Sequence, residues 1–350
     1  MAKISKEVPN PGAGGSYLFD PKTGKLTLIT EPPAPTENGT DSEEFLIAKI
    51  ESSYGVDSTP VGGSNAIQVT NLDVTPIESD NVQAAAYQGF IGNSTRSTLV
   101  ANKRVSVTFD VELAGSGTAG TAPAFGPLLK SCGLSETIVA STSVTYAGVS
   151  SSFDSATIYC FYDGTRHKIT GARGSVTFNF TAGQFAVASF NFIGIYNAPD
   201  NTALSGDFTV ANQAAALEVN DTNMTTATFF GESGQRIESF DLALNNELVY
   251  KETASSKEVL ITNRTPGGTA VIEAPAIGTT DYFADAVGVT TASTNLVLGA
   301  TGGNIISLTT AQTDVTGVSY GDTNGVVSLS MPYLALPSTS GNDELALAFT

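Results

Sequence analysis

The chain has 350 residues, 41% of them hydrophobic, which is enough for two domains each with a sizeable core. Charged residues make up only 14% and the net charge is −18, against roughly 25% charged residues in an ordinary soluble protein. That sign excludes tight nucleic-acid binding, which needs bases to neutralise phosphates, and the sparse charge fits a surface covered by neighbours better than it fits a free enzyme.

The acidity is uneven: residues 201–350 carry 16 acids against 4 bases, and no Lys or Arg follows Arg264. Cys132 and Cys160 are too few for a disulfide framework and sit in apolar surroundings, as small core residues do. No apolar run follows Met1–Glu7, so no secretory signal is expected, and no stretch approaches the length of a membrane span. The expected setting is a reducing cytoplasm until assembly or release.

Residues 1–42 carry six prolines and a Gly12–Ser16 run. They read as an extended N-terminal arm, either a disordered tail or one that orders on a neighbouring subunit, with Asp20–Gly24 as a turn between two short extended pieces. In Glu43–Tyr54 the residues Ile47, Ile50 and Tyr54 share a helical face and Gly55 supplies a stop, which predicts a short helix. From Ile67 onward the pattern is strand-like. Arg104–Leu113 alternates Val105, Val107, Phe109, Val111 and Leu113 with polar residues, the signature of a half-buried antiparallel strand. A flexible loop, Gly115–Thr121, leads to a short helix over Pro123–Cys132, closed by Gly133. Asp163-Gly164 marks a hairpin within Ser155–Ile169, and Gly174–Phe180 with Ala186–Ile195 forms another strand pair.

Asn197–Asn201 is the candidate boundary, giving a first β domain over 43–200 and a second over 201–350. The second half replays the first. Arg236–Leu244 answers Arg104–Leu113, a Gly-rich segment follows at Pro266–Thr269, and a short helix at Thr280–Val287 answers Pro123–Cys132. The strands Val315–Tyr320 and Val326–Leu336 close the repeat. The fold class expected is mainly β, a sandwich or barrel with short flanking helices, duplicated.

The inventory for catalysis is poor. His167 is the single histidine and there is no Trp. A nucleophile with a histidine base would have to use His167, which falls on an expected exposed strand position just after the Asp163-Gly164 turn. One His and two separated Cys make no zinc cluster, and no acid pair stands out among the carboxylates. Gly115-Ser116-Gly117-Thr118-Ala119-Gly120 fits G-x-G-x-x-G, but the chain runs on past the third glycine through Thr121-Ala122-Pro123-Ala124 instead of holding that glycine inside the helix start, so the amides would not meet a pyrophosphate. A loop of small residues free to cross a subunit interface is the better reading. No catalytic, cofactor or metal residue is assigned.

Several runs resemble the tail tube proteins (major tail proteins) of siphophages: Leu46–Pro60 (Leu-Ile-Ala-Lys-Ile-Glu-Ser-Ser-Tyr-Gly-Val-Asp-Ser-Thr-Pro), Val111–Pro123, Gly126–Leu134, His167–Gly174 and Gly341–Leu345. The likeness covers residues 45–350; the arm with Gly14–Tyr17 and Asp20-Pro21 is less usual for it. The resemblance implies a non-enzymatic virion subunit with a β-sandwich or barrel-like tube domain and a flanking helix. Its rings stack into a hollow channel for genome ejection. It further implies assembly with copies of itself and with tape measure, tail terminator and tail-tip proteins, and passage of viral DNA without sticking, with no membrane partner. Most such rings are hexameric; two tube domains per chain would make a trimeric pseudo-hexamer instead. Glu273, Asp281, Asp285, Asp314 and Asp322, in or near the base-free stretch, are the candidate lumen-facing acids. The alternatives are another virion structural protein, for decoration or tail completion, and a tail-associated hydrolase.

Overall fold

The computed structural model describes residues 17–20, 25–28, 45–82, 99–162, 164–205, 207–288 and 290–350. Met1–Glu43 and Glu44–Thr350 are separate compact units. In the first, β1 (Tyr17–Asp20) and β2 (Lys25–Leu28) pair antiparallel, and they are the two extended pieces expected around Asp20–Gly24. The rest of the arm lies outside the described residues.

The second unit begins with β3 (Phe45–Ile50), a strand where a helix was expected. Leu46 and Ala48 point into the main core, while Ile47 packs on the other side with Tyr159 and Phe161. A strand buried on both faces loses its alternation, and its apolar spacing then mimics a helix. Next come α1 (Gly62–Asn65), β4 (Ala66–Ile67), β5 (Thr70–Val82) and β6 (Leu99–Glu112). The short helix α2 (Gly126–Ser131) ends at Cys132, followed by Gly133 at φ 81°. Then follow β7 (Leu134–Val139), β8 (Ser143–Gly148), β9 (Ala156–Tyr162), β10 (Thr165–Thr181) and β11 (Val187–Tyr196). The two expected hairpins therefore share β10, one continuous strand.

The later elements are β12 (Met224–Phe229), β13 (Glu232–Ser233), β14 (Ile237–Ala243), β15 (Asn246–Glu252), β16 (Lys257–Arg264) and β17 (Gly267–Glu273). They continue as α3 (Tyr282–Val287), β18 (Ala292–Leu298), β19 (Ile306–Val315), β20 (Ser319–Thr323), β21 (Val326–Leu336) and β22 (Ala346–Phe349). Two corrections arise here. The strand expected at Val315–Tyr320 is the end of β19 and the start of β20, with Thr316 to Val318 between. The Gly-rich stretch opens β17, because a Cβ on Gly268 would stand 1.9 Å from the Asp241 carbonyl oxygen of the neighbouring strand.

One long antiparallel sheet runs β5-β6-β11-β10-β14-β17-β21-β20. Its strand order is that of β5-β6-β11-β10 followed by β14-β17-β21-β20, in which β14 takes the place of β5 and β17 that of β6. The Arg236–Leu244 strand thus answers β5 by position and not Arg104–Leu113; any half-buried strand shares that alternation. A second sheet runs β13-β12-β18-β19-β22-β8-β7. Ladders β19–β21 and β10–β9–β3–β4 branch from these, and among the described residues no chain of pairings returns to its start. The architecture is therefore a branched β-sandwich and not a closed barrel.

The core lies between the sheets. It includes Phe109, Phe178, Phe180, Phe192 and Phe240 from the long sheet, with Leu296, Leu308, Tyr146 and Phe349 from the other, all fully buried or nearly so. Burying one such phenylalanine stabilises by about 2–3 kcal/mol. Among the described residues two ladders cross between the sequence halves, β10 with β14 and β22 with β8.

β10 changes direction at a bulge between Thr170 and Arg173, where Gly171 has φ 60°. The buried Glu51 carboxylate fastens that bulge. It accepts from Gly171 N (2.7 Å), Gly55 N (2.7 Å), Ser155 Oγ (2.6 Å) and Thr157 Oγ1 (2.9 Å), tying the end of β3 to β9 and β10. Hydrogen bonds to a charged group contribute about 1.5–3 kcal/mol each, and an orphaned buried donor costs a similar amount. Glu51→Ala should lower the unfolding free energy by about 3 kcal/mol or more in urea titration; a loss under about 1 kcal/mol would mean the bulge holds without its pin.

Candidate functional site on the open face of the long sheet

Cross-strand partners share a face, so the register sorts the long sheet into two sides. Val107, Phe109 and Val111 of β6 face the core with Phe190 and Phe192 of β11 and Val176, Phe178 and Phe180 of β10. The opposite side is open and polar. It carries Ser106, Thr108, Asp110 and Glu112 of β6, Ser189 and Asn191 of β11, and Ser175, Thr177 and Asn179 of β10. The second half continues it with Ser239 and Asp241 of β14, Thr269 and Glu273 of β17, and Ser330 of β21, while Ser328 is on the same side but buried. Asp73 of β5 lies opposite Thr108, and Asp314 of β19 lies opposite Leu334, so both join this face.

Most charges there are carboxylates, and the two arginines that the register places on the same side, Arg104 and Arg173, are already held. Arg104 is 3.0 Å from Glu78 and 3.7 Å from Asp80, and Arg236, just before β14, is 2.9 Å from Glu273. Arg173 donates to Glu258 (3.1 Å) and to the carbonyls of Val259 (2.7 Å) and Phe153 (2.9 Å). Asn71 Nδ2 donates to Asp110 at 2.7 Å. Burial lifts the Asp241 carboxyl above its ordinary range, opposed by a hydrogen bond from the Thr269 backbone.

One end of the face is covered. The β15–β16 hairpin lies against β6, β10 and β11, and Val259 is fully buried there. Tyr54 OH takes the Val259 N–H at 2.5 Å and donates to Gly171 O at 3.1 Å, while the Arg173 guanidinium stacks 4.7 Å above the Tyr54 ring.

The five acids expected in a channel lining fall in different places. Glu273 and Asp314 are on the open face. Asp281 caps α3, accepting from Ala284 N at 3.1 Å, and Asp285 lies within α3, its carboxyl raised by burial and by Asp281 and Glu232. Asp322 lies opposite Val327, on the other side of β20, and accepts from Gly325 N at 2.9 Å in the turn. Sequence reasoning missed Asp73, Asp110, Glu112 and Asp241. For Asp110 and Glu112 the signal was present, since both alternate with the buried residues of β6.

No focus for catalysis emerges from the described residues. His167, expected to be exposed, is half-buried opposite Cys160 and edge-on to Tyr162 at 6.1 Å, and desolvation lowers its pKa. Both cysteines are free and buried, and burial pushes their thiols up. No group of three or more His, Cys, Asp or Glu side chains among the described residues could hold a metal. The Gly115–Gly120 loop, expected to be free to cross a subunit interface, is tied at its start to another loop of the same chain. Gly115 N donates to Asn304 Oδ1 at 2.7 Å and Gly117 N to Gly303 O at 3.0 Å. A Cβ on Gly303 would come within 2.5 Å of the Gly117 backbone, so the glycines serve close packing of two loops.

What the open face can do chemically is present hydroxyls, amides and spaced carboxylates over a broad surface. The sequence of residues 42–339 matches the family model described as phage tail tube protein, and no curated protein matches the chain. Because that match takes in every strand of the long sheet, from β5 at one edge to β20 at the other, the chain belongs to the phage tail tube family and is a structural component of the virion tail.

Proposed function

We propose that this chain forms rings that stack into the hollow tube of a siphophage tail, with the open face of the long sheet lining the channel. The observation that carries this reading is the repeated four-strand order joined by the β10–β14 ladder. Residues 43–200 and 201–350 then act as two tube-like repeats, and three chains make a pseudo-sixfold ring. Stacked rings grow along the axis because contacts that do not close by rotation generate filaments.

The lining would be acidic. Glu112 and Glu273 occupy equivalent ends of β6 and β17, opposite Val187 of β11 and Ser328 of β21. Asp73 and Asp241 likewise stand opposite Thr108 and near Thr269. With Asp110 and Asp314 they repel phosphates, and the hydroxyls between them keep water at the wall, so DNA slides during ejection without being held. Tape measure, terminator and tail-tip proteins are the expected partners, with assembly in the host cytoplasm.

Negative-stain microscopy of the purified chain over a range of concentrations tests the assembly. Hollow tubes with threefold end views are expected; sixfold end views built from six chains would overturn the two-repeat ring. The lining is tested by Glu112→Lys with Glu273→Lys. Tubes of this variant should retain double-stranded DNA in a salt-sensitive manner, whereas unmodified tubes should retain none. Equal, negligible retention by both would place these carboxylates away from the channel.

A further inference from the structure

We propose that the ring closes by a β-ladder between β20 of one copy and β5 of the next, in the register of the β10–β14 ladder inside each chain. The inference rests on the tube reading above and specifies the surface that assembly uses. Among the described residues β5 pairs only with β6, and β20 only with β21, so the long sheet has two unpaired edges. Such edges are templates for another strand, and their places in the two repeats are those of β14 and β10, which pair with each other.

The register follows from cross-strand pairs that recur in both halves. Thr75 opposite Ser106 corresponds to Ala243 opposite Gly267. Phe109 opposite Phe190 corresponds to Ala270 opposite Met331. Asn179 opposite Val187 corresponds to Gly321 opposite Ser328. The internal ladder pairs Thr177 with Ala243, Phe178 with Leu242 and Asn179 with Asp241. Carried to the outer edges, it pairs Ser319 with Thr75, Tyr320 with Val74 and Gly321 with Asp73 of the adjacent copy. The ladder stops at Asp73, because β5 shifts register between Thr70 and Asp73 and Tyr162 OH already donates to Leu72 O at 2.9 Å.

Two exposures that one chain leaves unexplained fit this interface. Tyr320 is 71% exposed, yet it holds the position at which Phe178 is fully buried beside β14. Leu334 is 41% exposed on the open face, at the position that corresponds to Ile193, in the strand beneath the β15–β16 hairpin. In the first repeat the corresponding extension is the outer part of the β5–β6 hairpin, where Ile77 is 51% and Leu99 66% exposed. That extension lies over Leu334 of the adjacent copy as β15–β16 lies over β11 within the chain.

Cysteine cross-linking in assembled tubes tests the register. The native thiols, Cys132 and Cys160, are buried and do not compete. Tubes grown from an equal mixture of Ser319→Cys and Thr75→Cys chains, treated with a short bismaleimide, should give covalent dimers, and the double variant should give covalent trimers. Pairing Ser319→Cys with Asn81→Cys should give none. Normal tubes that fail to link Ser319→Cys to Thr75→Cys, or that link the Asn81→Cys pair instead, overturn the ladder while leaving the tube reading intact. An unmodified chain that stays monomeric at every concentration overturns both. Leu334→Asp changes an exposed residue, so it should leave the circular dichroism spectrum unchanged and abolish tubes; unimpaired tubes would remove the hairpin contact from the interface.

Discussion

The division of one strand edge organises this protein. β10 is bonded along one side to β11 from Ile169 to Asn179, but its other side is shared, with Thr165–Ile169 and Ala172 taken by β9 and Thr177–Thr181 by β14. Every backbone N–H and C=O withdrawn from water needs a partner, so a strand of 17 residues cannot be matched by one short neighbour. The bulge at Gly171 lets the strand serve two neighbours that diverge. Its pin, Glu51, sits at the far end of β3, so the first strand of the unit fixes the geometry on which the junction between the halves depends.

The second sheet repeats this logic with β22. This C-terminal strand lies between β8 of the first half and β19 of the second, and Phe349 meets Phe125 and Tyr146 edge-on in the core. The buried Arg264–Glu344 ion pair supports it, with Arg264 also donating to Gly133 O and Val149 O. Both sheets therefore cross between the halves, which explains why Glu44–Thr350 is one compact unit although its strand order repeats.

Much of the fold was legible because half-buried strands write their pattern into the sequence. Val105–Val111, the β9–β10 hairpin and the helix at Tyr282–Val287 are cases where period, chain reversal or capping acts locally. β3 was not legible, since burial on both faces erases the period. Nor was β15–β16, where Val259 is buried by Arg173 and Tyr54, residues distant in sequence. The polar face was half-legible. Alternation fixes which residues of β6 share a side, but only the ladders reveal that Asp73 and Asp241 share it too. The emphasis on the base-free stretch after Arg264 drew in Asp281 and Asp285, whose roles in and around α3 are local ones.

The two repeats differ where their surroundings differ. Arg173 stands opposite Ile193, and Asp314 stands opposite Leu334, at matching positions. The base holds the hairpin that covers its end of the sheet; among the described residues the acid has no such hairpin above it. In a channel of the proposed kind, a base left uncovered at that place would offer a contact to phosphate, whereas an acid would add to the repulsion. In a ring of the proposed kind, joining two repeats in one chain also makes half of the repeat-to-repeat ladders intramolecular. Each association step costs about 4–15 kcal/mol in lost translational and rotational freedom, and a ring of three chains meets that cost fewer times than a ring of six. The remaining ladders can then be short and nearly free of charge pairing, as β20 and the inner part of β5 are, because each closes a ring whose other junctions are already built.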